Sequence, residues 1–270
     1  YWVPSTAIPM SATKEVFLSA VQFAISTGKL FPPFGDELKA SAQEQVEFML
    51  DQDEGTPSVA SDDEVKMELK AGLSNVFSSF VNTLSSLVSE SAHECKATES
   101  QILQSLADLE WMCKVLPKMN LMKEFVSGWV GISNDIMRVV DDEKLGCLIW
   151  RLKAKLIKVT GKSLEAVGYG NVILPAACRV KLLKYWLPYI RKMKALLEVK
   201  EEKMLNEEQW EGIEGAIVSL VLALPSTDQA EILLDWMKSA EDGYPDLSEA
   251  FEIWCYRSKS AKRRLASVSL

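Results

Sequence analysis

The sequence predicts an all-α protein of about ten helices, and three observations carry that reading. Apolar residues recur at i, i+3 and i+4 spacing through most of the chain. Prolines and glycines punctuate these segments at short intervals. Convincing strand alternation between turn pairs is missing: the nearest fragment, residues 171–174, is too short to seed a sheet. No period of 34 to 45 residues repeats its identities, so a regular solenoid is not established; a multi-helix bundle or an irregular helical array is expected.

Taken in order, Ser11 or Thr13 caps a first helix to about Ser26, with Val16, Phe17, Ala20, Val21 and Ala24 on its apolar face. Gly28 and Pro32–Pro33 interrupt it, and a second helix over 36–50 turns Leu38, Ala42, Val46 and Met49 inward. Residues 51–63 are acidic, contain Gly and Pro and hold one large apolar residue, Val59, which makes them a linker. The expected organisation is therefore N-terminal helices over 1–50, this linker, and a helical domain over 64–270. A long helix from Glu64 to about Ala92 carries Met67, Leu69, Leu73, Val76, Phe77, Phe80, Leu84 and Leu87. Its Ser, Asn and Thr content lowers helix propensity, so packing must stabilise it. Helices over 98–115, 121–132 and 141–159 follow, then a loop from Gly161 to Gly170. Pro175 opens a helix through Tyr189, and a charged run spans 191–208.

The C-terminal stretch reads most clearly. Residues 213–224 are apolar almost all round, as a helix buried on most of its surface would be. Pro225 stops it, and Ser226 or Thr227 caps the next helix, which places Ile232, Leu233 and Trp236 on one face. Gly243 and Pro245 break that helix, and a last one carries Leu247, Phe251 and Trp254.

Composition narrows the function classes. The chain has 270 residues, 48% hydrophobic and 25% charged, the balance of an ordinary globular protein. A net charge of -8 argues against a nucleic-acid partner held through phosphates. Five widely spaced cysteines (Cys95, Cys113, Cys147, Cys178, Cys255), with no CxxC pair, argue against a disulfide framework or a zinc site; they are expected as small core residues in a reducing compartment. The longest apolar run, 213–224, is too short to span a bilayer. The chain starts at Tyr1 without a methionine, which suggests a piece of a longer protein or a processed one.

Chemistry is hard to find. The single histidine, His93, sits in a polar stretch between two helices and reads as a solvated loop residue rather than a catalytic base. Carboxylates occur in surface-like runs such as Glu201–Glu202 and 141–143, with no pair held in unlike environments. Gly161-Lys162-Ser163 reproduces the end of a phosphate-binding loop, but Leu156 stands where its first glycine belongs. No catalytic, metal or cofactor residue is assigned, and the protein is not expected to be an enzyme. The basic tail from Arg257 to Arg264 reads as a helix end whose cations suit the dipole, ahead of a nuclear-import signal. Residues 151–158 read as a solvated basic helix face. Eight tryptophans are generous; most should be core, and one or two could anchor a partner.

Leu224, Pro225, Gln229, Glu231, Ile232, Leu233 and Trp236, followed by Pro245, Leu247, Phe251, Glu252, Trp254 and Arg257, stand at a characteristic spacing. They resemble the C-terminal signature of plant BTB/POZ-domain-containing proteins, with Cys255 in place of a second aromatic residue. LADLEWMCKVL, FVSGWV and CRVKLLKYWLPYI resemble that family's upstream helices, and KEVFLSAVQFAIS and DELKASAQEQVEFML match it weakly. The resemblance implies a BACK-like helical region that follows a BTB fold, and a role as substrate adaptor of a cullin-RING ubiquitin ligase. The BTB fold would lie before Tyr1, contact the cullin and support a homodimer, while the helical part recruits the ubiquitination target. Trp236, Phe251, Trp254 and Arg257 are the candidate signature or partner-binding residues. The implied location is cytoplasmic, nuclear or both.

Two other readings compete. One is a plant signalling scaffold without a ubiquitin role. The other is an all-α enzyme of the lipid or terpene type, which needs aspartate-rich metal-binding helices; the only Asp pairs are Asp62–Asp63 in the expected linker and Asp141–Asp142 at a helix start. A non-enzymatic protein-interaction module fits the residues best.

Overall fold

Helices account for nearly every regular element of the computed structural model, which describes residues 10–26, 35–51, 59–87, 95–141, 150–198, 204–238 and 243–268. Ten α-helices occur among them: α1 (Met10–Ala24), α2 (Gly35–Asp51), α3 (Asp63–Ser86), α4 (Cys95–Val115), α5 (Met122–Val140), α6 (Trp150–Gly168), α7 (Ala176–Glu198), α8 (Glu207–Leu222), α9 (Ser226–Lys238) and α10 (Ser248–Val268). Two short 3-10 turns, Val59–Ser61 and Leu116–Met119, complete the set, and the described residues contain no strand. The all-α expectation is met. The chain forms two compact units, Tyr1–Gly128 and Trp129–Leu270, with the boundary inside α5.

In the first unit, α1 packs on α2 and α3, and α3 packs on α4. Asp62 starts α3: its carboxylate accepts the backbone N–H groups of Glu64 (2.9 Å) and Val65 (3.3 Å), two donors that the first turn leaves without a helical partner. Phe17, Val21, Leu69, Phe80, Ile102, Leu106 and Phe125 form the core, each contributing about 1.5–3 kcal/mol on removal from water. Lys39 of α2 donates to Asp108 of α4 at 2.6 Å, and Gln43 donates to the same carboxylate at 3.2 Å. Asp108 is only 6% exposed, so this pair satisfies a charge that would otherwise be costly to bury. Helices on both sides of the expected 51–63 linker thus pack within one unit; residues 52–58 lie outside the described residues.

Two inward assignments fail here: Val16 and Leu38 are 54% and 48% exposed, and Met67 of the third helix is 65% exposed. On helices wrapped by few neighbours the buried stripe is narrower than the apolar pattern, and single exposed apolar residues are tolerated. The described part of the third helix ends at Ser86 rather than near Ala92, and residues 88–94, with His93, lie outside the described residues.

The second unit is built on the close approach of α6 and α8. The expected loop from Gly161 to Gly170 is helical as far as Gly168. Gly161 and Gly168 mark helix contact instead of a turn: a Cβ on Gly161 would lie 2.9 Å from Ile213, and one on Gly168 2.5 Å from the Ala216 carbonyl oxygen. Two tryptophans form the centre. The rings of Trp129 and Trp186 stack at 5.4 Å and 13°, and both side chains are fully buried. The Trp129 indole donates to the Thr160 hydroxyl (3.2 Å), and the Trp186 indole donates to Ser133 Oγ (2.8 Å). Each hydroxyl in turn donates to a carbonyl one turn back, Leu156 for Thr160 and Trp129 for Ser133, at 2.7 Å in both cases. Both indole N–H groups are therefore satisfied in the dry interior.

Four tryptophans, Trp111, Trp129, Trp186 and Trp210, are buried, as expected for most of them, and Trp150, Trp236 and Trp254 are half-buried. The cysteines divide differently from the expectation. Cys113 is buried, Cys178 half-buried and Cys255 exposed; the side chains of Cys95 and Cys147 lie outside the described residues.

A groove between α7 and α9

Within the second unit, α7 and α9 border a groove of about 480 Å³. Leu183, Leu187 and Ile232 are buried beneath it, while Pro188, Ala195 and Leu196 stand exposed along it. Trp236 closes one side.

The sequence accounts for each wall. α7 keeps Leu182, Trp186, Ile190, Met193 and Leu197 buried, and continues past Pro188 to Glu198, nine residues beyond the expected end at Tyr189. A proline lacks the N–H that would bond the carbonyl four residues earlier, here Lys184, yet packing carries the helix through. Arg191, Lys192, Ala195 and Leu196 thereby become part of a groove wall, although their sequence reads as a charged run.

α9 is held at both ends. At its start, Gln229 is buried and donates to the Val221 carbonyl at 2.8 Å, satisfying a C-terminal acceptor of α8. At its end, the Trp236 indole donates to the Pro245 carbonyl at 2.9 Å, which leaves the ring available to the groove. Lys184 of α7 and Glu231 of α9 pair at 2.9 Å between the two helices.

Segment 243–247, which receives Trp236, is itself anchored on α8. The Tyr244 hydroxyl donates to the Trp210 carbonyl (2.9 Å), the two rings meet edge to face at 5.6 Å, and the Lys194 ammonium lies 4.8 Å from the Trp210 ring. Burial, with Glu214 and Glu207 adding to it, holds the Tyr244 phenol far above its ordinary pKa, so it remains a donor. The Asp246 N–H donates to Glu214 at 2.6 Å. The Tyr244–Pro245 peptide is cis.

The four residues singled out by the sequence do not form one cluster. Trp236 lines the groove; Phe251, Trp254 and Arg257 hold α10 to the α8–α9 junction. The Trp254 indole donates to the Ser226 carbonyl (3.1 Å) and hydroxyl (3.2 Å), Phe251 packs on it at 6.2 Å, and the Arg257 guanidinium donates to the Leu222 carbonyl at 3.4 Å. The Leu222 carbonyl is one of the acceptors that the end of α8 leaves open, and the Trp254 bonds tie α10 to the first residue of α9. Side chains of the basic tail beyond Ser260 lie outside the described residues. Among the described residues, no three His, Cys, Asp or Glu side chains gather where a metal would be held, and no helix is long and apolar enough to cross a membrane.

Comparison with known proteins gives a consistent picture. The family model described as BTB/POZ Ankyrin-like repeat matches residues 38–261. One Arabidopsis thaliana BTB/POZ domain-containing protein is 40% identical over 278 residues, covering 97% of this chain and 61% of its own length. A second from the same organism is 27% identical over 201 residues, covering 68% of this chain and 35% of its own length. The chain thus spans between about a third and three-fifths of the curated relatives it matches. No solved structure matches it.

Proposed function

The chain belongs to the plant BTB/POZ ankyrin-like-repeat family, and from that premise we propose that it is the target-recruiting helical part of an adaptor for a cullin-RING ubiquitin ligase. Membership points to a protein-interaction role. The finer reading rests on one observation: the α7/α9 groove, whose apolar floor, exposed Leu196 and available Trp236 ring suit a protein segment better than a reacting small molecule.

In this reading a BTB fold elsewhere in the full-length protein contacts the cullin and supports a homodimer. The second unit holds the target near it, in the cytoplasm, the nucleus or both. Catalysis belongs to the ligase, and the adaptor's contribution is effective concentration. Trp254, Phe251 and Arg257 keep the groove's far side in place without touching the target. Affinity purification of the full-length protein from plant cells is expected to recover a cullin subunit. Its consistent absence, with protein partners still recovered, would favour a signalling scaffold instead.

A further inference from the structure

We propose that Ser260 of α10 is a phosphorylation site for a serine kinase that reads Arg257, and that the phosphate frees the end of α10 from α8. This goes beyond the recruiting role and does not depend on what fills the groove.

The sequence marks the site by a sharp change of charge. In a chain of net charge -8, residues 257–270 hold five cations, four serines and no carboxylate. Arg257 stands three residues before Ser260, and Arg264 three residues before Ser267, the same arrangement one heptad on. Kinases select acceptors by charge pattern, and an arginine at that spacing suits an acidic substrate groove that holds it by paired N–H···O bonds. A nuclear-import receptor reads cations in many spacings and has no use for the serines. The structure makes Ser260 reachable. Past Trp254 no described residue is buried: Cys255, Tyr256, Arg257 and Lys259 are exposed, and Ser258 and Ser260 are half-buried. Leu247 and Ala250, fully buried, hold the start of the helix instead. With so little packing on them, the last turns can open locally to enter a kinase site.

In the reaction the Ser260 hydroxyl attacks the γ-phosphorus of a nucleoside triphosphate. The Oγ–P bond forms and the bond to the bridging oxygen breaks, its electron pair leaving on the nucleoside diphosphate. The hydroxyl proton passes to the kinase's own catalytic carboxylate. The product adds a charge of about -1.5 to -2. On α10, which continues to Val268, positions three and four residues away are neighbours: Arg257 on one side, Arg263 and Arg264 on the other. Before modification Arg257 donates to the Leu222 carbonyl at 3.4 Å. A phosphate oxygen accepts from a guanidinium about twice as strongly as a neutral carbonyl does between neutral groups, so Arg257 exchanges one for the other. That removes a tie between α8 and the part of α10 beyond Trp254, whose own bonds to Ser226 remain.

The test incubates the intact chain with ATP, magnesium and the catalytic subunit of cyclic-AMP-dependent kinase, which selects arginine before its acceptor serine. Mass spectrometry maps the product. Ser260 should be phosphorylated, and Arg257→Gln should slow that at least about tenfold while incorporation at Ser267 is unchanged. Arg264→Gln should do the reverse. Hydrogen exchange over residues 255–268 reads the consequence: the phosphorylated chain should exchange there at least about threefold faster than the unmodified one. Arg257→Gln should match that without phosphate, and Ser260→Glu should add nothing to Arg257→Gln. Circular dichroism checks that the variants stay folded. In plant cells the full-length protein should carry phosphate on Ser260. Absence of that phosphate in either setting, a rate indifferent to Arg257→Gln, or exchange that rises additively in the double variant would each overturn the proposal. None of these results alters the cullin recovery expected of an adaptor, so the two readings fail separately.

Discussion

Gly168 of α6 and Ala216 of α8 meet backbone to backbone: a Cβ added to the glycine would sit 2.5 Å from the alanine carbonyl oxygen and 2.8 Å from its Cα. Neither helix can yield there by turning a side chain. Gly168→Ala is therefore expected to destabilise the second unit by about 1–3 kcal/mol. Gly131→Ala, in α5 with nothing within 4 Å of the added methyl, is expected to stabilise it by about 0.5–1 kcal/mol. Urea unfolding of the two variants beside the parent checks the difference in sign.

Ser133 carries the second prediction. Its hydroxyl is the acceptor for the buried Trp186 indole, so Ser133→Ala should cost about 1–3 kcal/mol by leaving that N–H without a partner. Trp186→Phe in the Ser133→Ala background should cost less than in the parent, because the hydrogen bond is already lost there and the substitution removes the orphaned donor. The double-mutant cycle measures that coupling.

The third concerns acid. Lys14 pairs with Asp62 at 2.9 Å, and this contact, with the α3 cap bonds, holds the Asp62 carboxyl below its ordinary value while burial opposes. A carboxyl lowered by folding stabilises fully above its unfolded pKa and loses that contribution as pH falls through the folded one. Asp62→Asn keeps a capping oxygen but removes the charge. The variant should therefore show a shallower loss of stability between pH ~6 and ~2.5 than the parent, with equal slopes contradicting the assignment.

Trp254 and Trp236 are expected to separate. Trp254→Phe removes the indole bonds to Ser226 and should cost about 0.5–1.5 kcal/mol in stability. It should leave target recovery by the full-length protein unchanged. Trp236→Phe also removes the bond to Pro245, but at a residue that lines the groove, and should weaken target recovery as well. Thermal melts and affinity purifications, run in parallel, distinguish the two.

Much of this was legible in advance. The helical class followed from periodicity, and Pro225 placed the junction of α8 and α9 within a few residues, although α8 begins at Glu207, six residues before the apolar run. Trp236, a candidate signature or partner-binding residue in the sequence, lines the groove, and its partner-binding role belongs to the proposal. The misjudged elements share a cause. Gly161 and Gly168 look like loop residues locally, and only the approach of α8 makes them helical contacts. The helix opened by Pro175 was expected to end at Tyr189, just past Pro188, yet α7 continues to Glu198. Arg191 to Leu196 therefore read as part of a charged run instead of a wall. No local signal ties Leu183 to Ile232; their proximity depends on tertiary packing.

The central claim is that this surface selects a protein client for the rest of the molecule to act on. Quantitative affinity purification of the full-length protein from plant cells, with Leu196→Glu compared to the parent, tests it most directly. The account predicts that cullin is recovered equally with both while a defined set of clients is recovered with the parent alone. Clients retained undiminished by Leu196→Glu would contradict it.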